Sequence, residues 1–462
     1  MSLSSSSRGY SRGFLLIAMI AAASTLAVVL WPVCKRSGMQ FWVFSNSHYS
    51  VYRAPVAKWN LEHPDHRVDL RMEQLTVMEP RLLSAVRTGA PTSDVMEVER
   101  MVAAEMFTGP LEAVGFEDLT DRLRAGGWLE RFNPPSFSPW TSRGRIFGLP
   151  HDVHPVLLAY RADLVEAAGI DVTRIETWDD FARVMAPLMA ERGRDGRPLR
   201  YLLNFWPVQV DQVEIFLLQA GGGFFDDRER PALATEVNVR VLAQMAAWCA
   251  GPARIAIDAA DVTASGNRIR LEGGVICSPM ADWMSGVWRR DLPGLAGKMK
   301  LMPLPAWERG GRRTSVHGGT GIMIPCSSGD IEGAFDLALS LYTSPEISDE
   351  LFRDTGIIAP CREHWSRPVY DVPNAYFCGQ SVGRLYAEQA PQVPRRSSSP
   401  FTREARRYYC MALRKLVDWA EANHTYTRGA LERRARVLLD DAQVDLVRRV
   451  DRNAFLRKEG DR

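Results

Sequence analysis

The stretch GRIFGLPHDVHPVLLAYRADLVEAAGI, Gly144 to Ile170, places a turn, an extended crossing, a strand and a helix in immediate succession. Gly148-Leu149-Pro150 closes one element, and His151-Asp152-Val153-His154 follows as an extended segment. Val156 to Tyr160 is a short apolar run of strand type, and Arg161-Ala162-Asp163-Leu164 opens a helix that ends near Gly169. A chain that leaves one structural block and starts another within so few residues predicts a crossing between two bodies near Pro150.

Upstream, strands and helices alternate. Gln40 to Phe44 reads as a buried strand running into a loop at Ser45-Asn46-Ser47-His48, and Val51 to His63 has helical spacing. Val68 to Met72 alternates like a strand, Met78 to Arg87 is helical and stops at Gly89-Ala90-Pro91, and Asp94 to Val98 is a third strand. This order predicts a parallel sheet covered by helices, with ligands met at the carboxyl ends of the strands. Those ends are Ser45 to His48 on one strand and Glu97 and Glu99 on another.

Downstream, Thr177 is suited to cap Trp178-Asp179-Asp180-Phe181. Leu202 to Trp206, Gly274 to Ser278, Lys300 to Pro305 and Gly321 to Pro325 read as strands. Val213 to Gln219 and Asn238 to Cys249 read as helices, and a second crossing is expected near Pro305. From Ala334 onward the chain is mainly helical, and Arg403 to Arg457 forms a basic amphipathic pair with a solvated face.

Composition agrees with an ordinary globular protein of two domains or one two-lobed unit. The chain has 462 residues, of which 46% are hydrophobic and 24% charged, which excludes wholesale disorder. A net charge of +2 removes the electrostatic argument for a nucleic-acid partner. The run Phe14 to Val33 carries no charge, is flanked by Arg8, Arg12, Lys35 and Arg36, and is about the length that spans a bilayer. It is expected to be an uncleaved signal-anchor, with a cleaved signal ending among Ala21 to Ala23 or Ala27 as the alternative. The seven cysteines include no Cys-x-x-Cys pair, so core packing is expected of them.

Several strings in order carry a family resemblance. They are Gly144-x-x-x-Gly148-Leu149-Pro150-x-Asp152, Leu158-x-Tyr160-Arg161-x-Asp163-Leu164, Ala168-Gly169-Ile170, and Thr177-Trp178-Asp179-Asp180-Phe181. Gln219-Ala220-Gly221-Gly222-Gly223, Glu272-Gly273-Gly274 with Asp282-Trp283, and His317-Gly318-Gly319-Thr320-Gly321-Ile322 follow. Thr343-Ser344-Pro345-Glu346 and Gly356 to Arg362 complete the series. Together these strings resemble extracellular solute-binding protein family 1, the substrate-binding proteins of sugar ABC importers, with arabinosaccharide and maltose carriers nearest.

The resemblance covers nearly everything after residue 40. It implies an α/β fold: a two-lobed, periplasmic-binding-protein-like clamp of type II, each lobe a mainly parallel sheet flanked by helices, behind an N-terminal transmembrane segment. Residues 1–37 would form the cytoplasmic tip and signal segment. Residues 38–150 with 308–360 would form the first lobe, and 151–307 with 361–462 the second lobe and C-terminal helices. The implied function is binding a sugar or oligosaccharide between the lobes and delivering it to an ABC permease with its ATPase. The implied protein is a monomer, periplasmic and held at the inner membrane through residues 14–33, with a cleaved secreted form as alternative.

Sugar rings offer C–H faces to aromatic rings and a rim of hydroxyls to planar polar groups. Trp283, Trp206 and Trp42 stand at or near predicted strand ends, although each ring could equally fill a lobe core. Asp152 and Asp282 could accept hydroxyls or cap turns, and Arg362 could donate to them or sit in a surface ion pair. Glu99 and His48 end first-lobe strands, and Gly318 and Gly319 would let backbone approach a ligand. No metal or cofactor is expected: His151 and His154 on an extended segment point to opposite faces and would not share an ion. No motif selects a pair of catalytic carboxylates, so an enzyme is disfavoured. A membrane-anchored sensory or scaffold protein reusing the clamp is the alternative, with a carbohydrate-active enzyme behind it.

Overall fold

The computed structural model describes residues 11–30 and 38–455, in two units, 1–38 and 39–462. The first unit holds helix α1 (Arg12–Leu30), along which Phe14, Leu16, Ile17 and Met19 are exposed. Among the described residues no helix is long and apolar enough to cross a membrane. The expected span over residues 14–33 is therefore not supported: the helix begins at a charged residue, Arg12, and ends at Leu30. Residues 31–37, with the end of that run, lie outside the described residues.

The second unit is built on two five-stranded sheets. Its first stretch runs β1 (Met39–Val43), α2 (Asn46–Glu62), β2 (Val68–Met72), α3 (Leu75–Thr88), β3 (Val95–Glu99), α4 (Arg100–Met106) and β4 (Leu149–Pro150). The chain then crosses to β5 (Val156–Arg161), β6 (Tyr201–Asn204), α5 (Val210–Gln219), α6 (Glu236–Cys249), β7 (Ala256–Ile257), β8 (Val275–Ala281), α7 (Asp282–Asp291) and β9 (Met299–Pro303). It returns through β10 (Thr320–Met323), α8 (Ile331–Thr343) and α9 (Pro345–Thr355), and ends with α10 (Thr402–Ala422) and α11 (Arg428–Asp451).

The first sheet has the order β2-β1-β3-β10-β4 and the second β9-β5-β8-β6-β7. In the first, Met39 pairs with Val68 and Phe41 with Val95 in parallel, while Thr320 opposes Glu99 and Gly321 opposes Pro150 in antiparallel register. In the second, Tyr201 runs parallel to Val275, whereas Tyr160 opposes Cys277 and Arg161 opposes Met299. Both sheets are thus mixed, not mainly parallel. The strands that break the parallel pattern, β10 and β5, are the ones that enter from the other lobe and so arrive pointing the opposite way.

Three crossings run beside one another between the lobes: 151–155, 304–319 and 356–361. Pro155 bridges Val316, His317 N donates to His154 O (3.2 Å), and Val153 N donates to Ile358 O (3.3 Å). Elements are otherwise close to expectation, with several helices longer and several strands shorter. α2 starts at Asn46, ahead of the spacing that begins at Val51, because Ser45 is extended (φ −96°, ψ 125°) and the chain turns helical directly after it. α3 ends as expected on Gly89, whose left-handed φ of 67° suits glycine.

Five of the twelve described tryptophans, Trp59, Trp140, Trp178, Trp248 and Trp288, are buried in the core. Trp178, Phe205, Phe216 and Trp248 form an aromatic cluster in the second lobe, with Trp178–Trp248 and Phe216–Trp248 centroids both 5.1 Å apart. The capping box expected around Thr177 is present, since Thr177 Oγ1 accepts from Asp180 N and the Asp180 carboxylate accepts from Thr177 N. The basic tail forms the amphipathic pair expected of it, with Arg407, Arg414, Lys415 and Arg433 exposed on its solvated face. Tyr409, Leu413 and Leu416 of α10 and Leu431, Leu439 and Leu446 of α11 are buried, and Tyr409 OH donates to Asn238 O at 2.8 Å on α6. Four of the six described cysteines, Cys249, Cys277, Cys361 and Cys410, are buried as core residues, but Cys326 and Cys378 are exposed.

α7 and α9 approach so closely that a Cβ on Gly286 would lie 2.4 Å from Thr355 O. A backbone carbonyl cannot swing aside as a side-chain tip can, so Gly286→Ala should cost about 1–3 kcal/mol by overpacking. Thermal unfolding checks this; an unchanged midpoint would mean that the two helices can separate freely.

Candidate functional site: the interlobe cleft

The ends of several elements converge on one cleft of about 840 Å³, within the size range of small-ligand sites. The first turn of α2 contributes Asn46, Ser47 and His48, and the end of β3 contributes Glu99. The returning crossing brings Gly318 and Gly319, and the second lobe brings His154, Trp283 and Arg289. Ser45 makes no side-chain cap; its Oγ instead lies 2.7 Å from Ser47 Oγ, at the cleft wall. The Glu99 carboxylate accepts from Met101 N (2.7 Å), capping α4, and burial raises its pKa above the usual carboxylate value.

Trp283 is half-buried, and its indole Nε1 donates to His317 O at 3.0 Å. The ring packs against both lobe cores and is thereby held at the cleft. The glycine pair beside it is obligatory. Gly318 (φ 109°) and Gly319 (φ 134°) occupy backbone space that other residues avoid. A Cβ on Gly318 would come within 2.6 Å of His154, and one on Gly319 within 2.8 Å of Arg396.

Under the cleft lies a buried charge triad. His154 Nε2 is 2.9 Å from Asp152 Oδ2, and His154 Nδ1 is 2.7 Å from Asp282 Oδ1. Asp152 Oδ2 also accepts from Thr320 N (2.9 Å). Asp282 accepts from Trp283 N and Ile358 N, both at 2.7 Å. Burial disfavours the imidazolium, but the two carboxylates outweigh it and push His154 up to about 10; His154 in turn holds Asp152 well below the usual carboxylate range. Asp152 and Asp282 therefore do not line the cleft. Their lone pairs are consumed holding the crossings together.

A second buried cluster lies in the first lobe. Glu97 Oε2 is 2.9 Å from His48 Nδ1, while Glu97 Oε1 accepts from Tyr52 and Tyr342 hydroxyls, each at 3.1 Å. His151 packs on His48 with ring centroids 4.2 Å apart. A third network ties the lobes. Arg100 Nη2 is 2.6 Å from Glu214 Oε2, with both side chains buried, and Arg406 reaches Glu214 (3.1 Å) and Asp211. Arg396 donates to Gly318 O.

Of the residues singled out from sequence, the cleft thus gathers His48, Glu99, Trp283, Gly318 and Gly319. The other candidates lie elsewhere. Trp206 packs on the second-lobe core beneath Arg254, and Trp42 sits in a first-lobe core layer with Arg81 over its ring; each guanidinium is 5.9 Å from the ring centroid. Arg362 is exposed and donates to Glu130 O. Missed altogether were Tyr52, Tyr342, Arg100, Glu214 and Arg406. Glu214 did leave a signal, as a carboxylate on an otherwise apolar turn of helix, but its partners are remote in sequence.

A family model of bacterial extracellular solute-binding proteins matches residues 45–346. The chain is 25% identical over 375 residues to an arabinooligosaccharide-binding protein of Halalkalibacterium halodurans, covering 78% of this chain and 80% of that protein. It is 23% identical over 410 residues to a lactose-binding protein of Rhizobium radiobacter, covering 86% and 92%. Among solved structures, the sugar-binding protein MalE from Xanthomonas citri superposes with a TM-score of 0.71 at 18% identity, over 90% of this chain and 99% of that one. A crystal structure of an extracellular solute-binding protein family 1 member gives a TM-score of 0.70 at 19% identity, over 88% and 99%. At such identities the superpositions establish the two-lobed fold.

The triad has a defined pH signature. His154 rises from an ordinary 6.5 to about 10, so its stabilisation is complete below pH 6.5 and is lost as pH climbs through 10. Asp152 is depressed, so its share is present above its ordinary 3.8 and is lost as pH falls below that value. Denaturant unfolding should therefore show stability declining from pH 7 to pH 10. His154→Asn should remove about 3–5 kcal/mol at pH 7, the cost of stranding buried charge, and flatten that decline. An unaltered slope in the variant would contradict this assignment.

Proposed function

Because the chain belongs to the bacterial extracellular solute-binding proteins, we propose that its interlobe cleft binds an oligosaccharide and that the loaded protein delivers it to an ABC permease. The observation that carries the reading is the half-buried ring of Trp283 held at the cleft by its indole N–H, with the Gly318-Gly319 turn beside it. The ring offers an apolar face for the C–H side of a sugar. His48, Glu99 and the serines at the start of α2 offer hydrogen-bonding groups for the hydroxyl rim. Sugar binding by the arabinooligosaccharide- and lactose-binding relatives supports the same ligand class. His154 and its two carboxylates serve the frame, so the reading is binding without bond making or breaking.

In this reading residues 38–150 with 308–360 make one lobe, and 151–307 with 361–462 make the other. The protein acts as a monomer on the outer side of the inner membrane. The apolar run 14–33 is the segment that directs its export.

The purified chain should gain thermal stability with arabinooligosaccharides or another short oligosaccharide, by about 2.7 kcal/mol at a ligand concentration of a hundred times Kd. Trp283→Ala should weaken binding about 3- to 10-fold, the worth of one aromatic contact, whereas Trp206→Phe should leave Kd unchanged. A wide sugar screen without any shift, beside a clear shift with amino acids or peptides, would overturn the ligand class.

A further inference from the structure

We propose that His48, Glu97 and His151 form a site for a first-row divalent cation of the zinc type, beneath the first-lobe side of the cleft. All three residues are buried, and one ligating atom from each lies within 4.8 Å of the other two. Two imidazoles and one carboxylate are a donor set that suits zinc and leave one tetrahedral position open.

The surroundings are arranged as they are around metal ligands. His151 Nδ1 faces Asp152 Oδ2 at 3.4 Å, which favours the proton on that nitrogen and leaves the Nε2 lone pair free. His151 Nε2 is buried and has no hydrogen-bond partner. An unpaired buried polar atom costs about 1–3 kcal/mol, a cost that a cation on that nitrogen removes. On the acidic side, Tyr52 and Tyr342 both donate to Glu97 Oε1, so Oε2 is the oxygen directed at His48. His48 Nδ1 and Glu97 Oε2, 2.9 Å apart, need only a few tenths of an ångström to span the edge of a tetrahedron with bonds of about 2.0 Å.

The site is distinct from the triad on the next residues of the same crossing. His154 points away, to Asp152 and Asp282, so Asp152 stands between a candidate ligand on one side and a fixed imidazolium on the other. His48 also lines the cleft, so an ion held there lies against the ligand-binding wall.

The test uses the untagged full chain, stripped with a chelator and titrated with Co²⁺ and then Zn²⁺. One equivalent of Co²⁺ should produce the intense visible bands of tetrahedral cobalt, and Zn²⁺ should displace it at one to one. His151→Ala and Glu97→Gln should each weaken Zn²⁺ binding at least 100-fold by calorimetry, while His364→Ala, in the Cys361–Glu363–His364 group, should leave it unchanged. If either variant fails to fold, the wild-type cobalt spectrum decides alone. Absence of the bands, or Zn²⁺ affinity unmoved in a folded His151→Ala protein, overturns the proposal. Neither result depends on whether the cleft takes a sugar.

Discussion

His154 lies between two buried carboxylates, and through them it joins every path by which the chain passes between the lobes. Asp152 belongs to the first crossing and accepts from Thr320, where the second crossing enters β10. Asp282 opens α7 and accepts from Ile358 on the third crossing. An ion removed from water needs close, complementary partners to offset its desolvation. Here one imidazolium and two carboxylates supply them, and backbone N–H groups occupy further lone pairs. The result is a rigid seam from which the ends of α2, β3 and α7 project toward common space.

The cleft depends on that seam in a specific way. Trp283 follows Asp282 directly, and its N–H is bonded to the Asp282 carboxylate, so the charge that fixes the crossing also positions the ring. Gly318 lies so close to His154 that a side chain there would collide with the imidazole. On the far side, the buried Arg100–Glu214 pair and Arg406 connect first-lobe, second-lobe and C-terminal elements. Such pairs add little net stability because desolvation offsets attraction, but breaking one partner is costly. They fix the register between these elements.

The alternation of strands and helices, the crossing at Pro150 and the glycine pair were legible because each rests on local chemistry: apolar period, proline stiffness and positive φ. The strand directions were not. That β10 and β5 run against their neighbours follows from which lobe they come from, which no local pattern records. Trp283 was legible as a ring just past a strand end, whereas Trp206, in the same kind of position, does not line the cleft. Both rings pack against the second-lobe core; what sets Trp283 apart is its bond to His317 O, far along the chain, which holds the ring at the cleft. Asp152 and Asp282 were recognised as polar residues at turns, but their pairing through His154 spans 128 residues between His154 and Asp282 and is invisible to spacing arguments. The apolar run near the amino end was read correctly as apolar, yet the helix it forms is bounded by Arg12 and Leu30.

A crystal structure of the protein grown with a short oligosaccharide is the decisive measurement. Density for a sugar ring should lie in the cleft with its C–H face within about 4 Å of the Trp283 indole and hydroxyls near His48 or Glu99. A ring bound at Trp206, or anywhere outside the space between the lobes, would contradict the placement of the site.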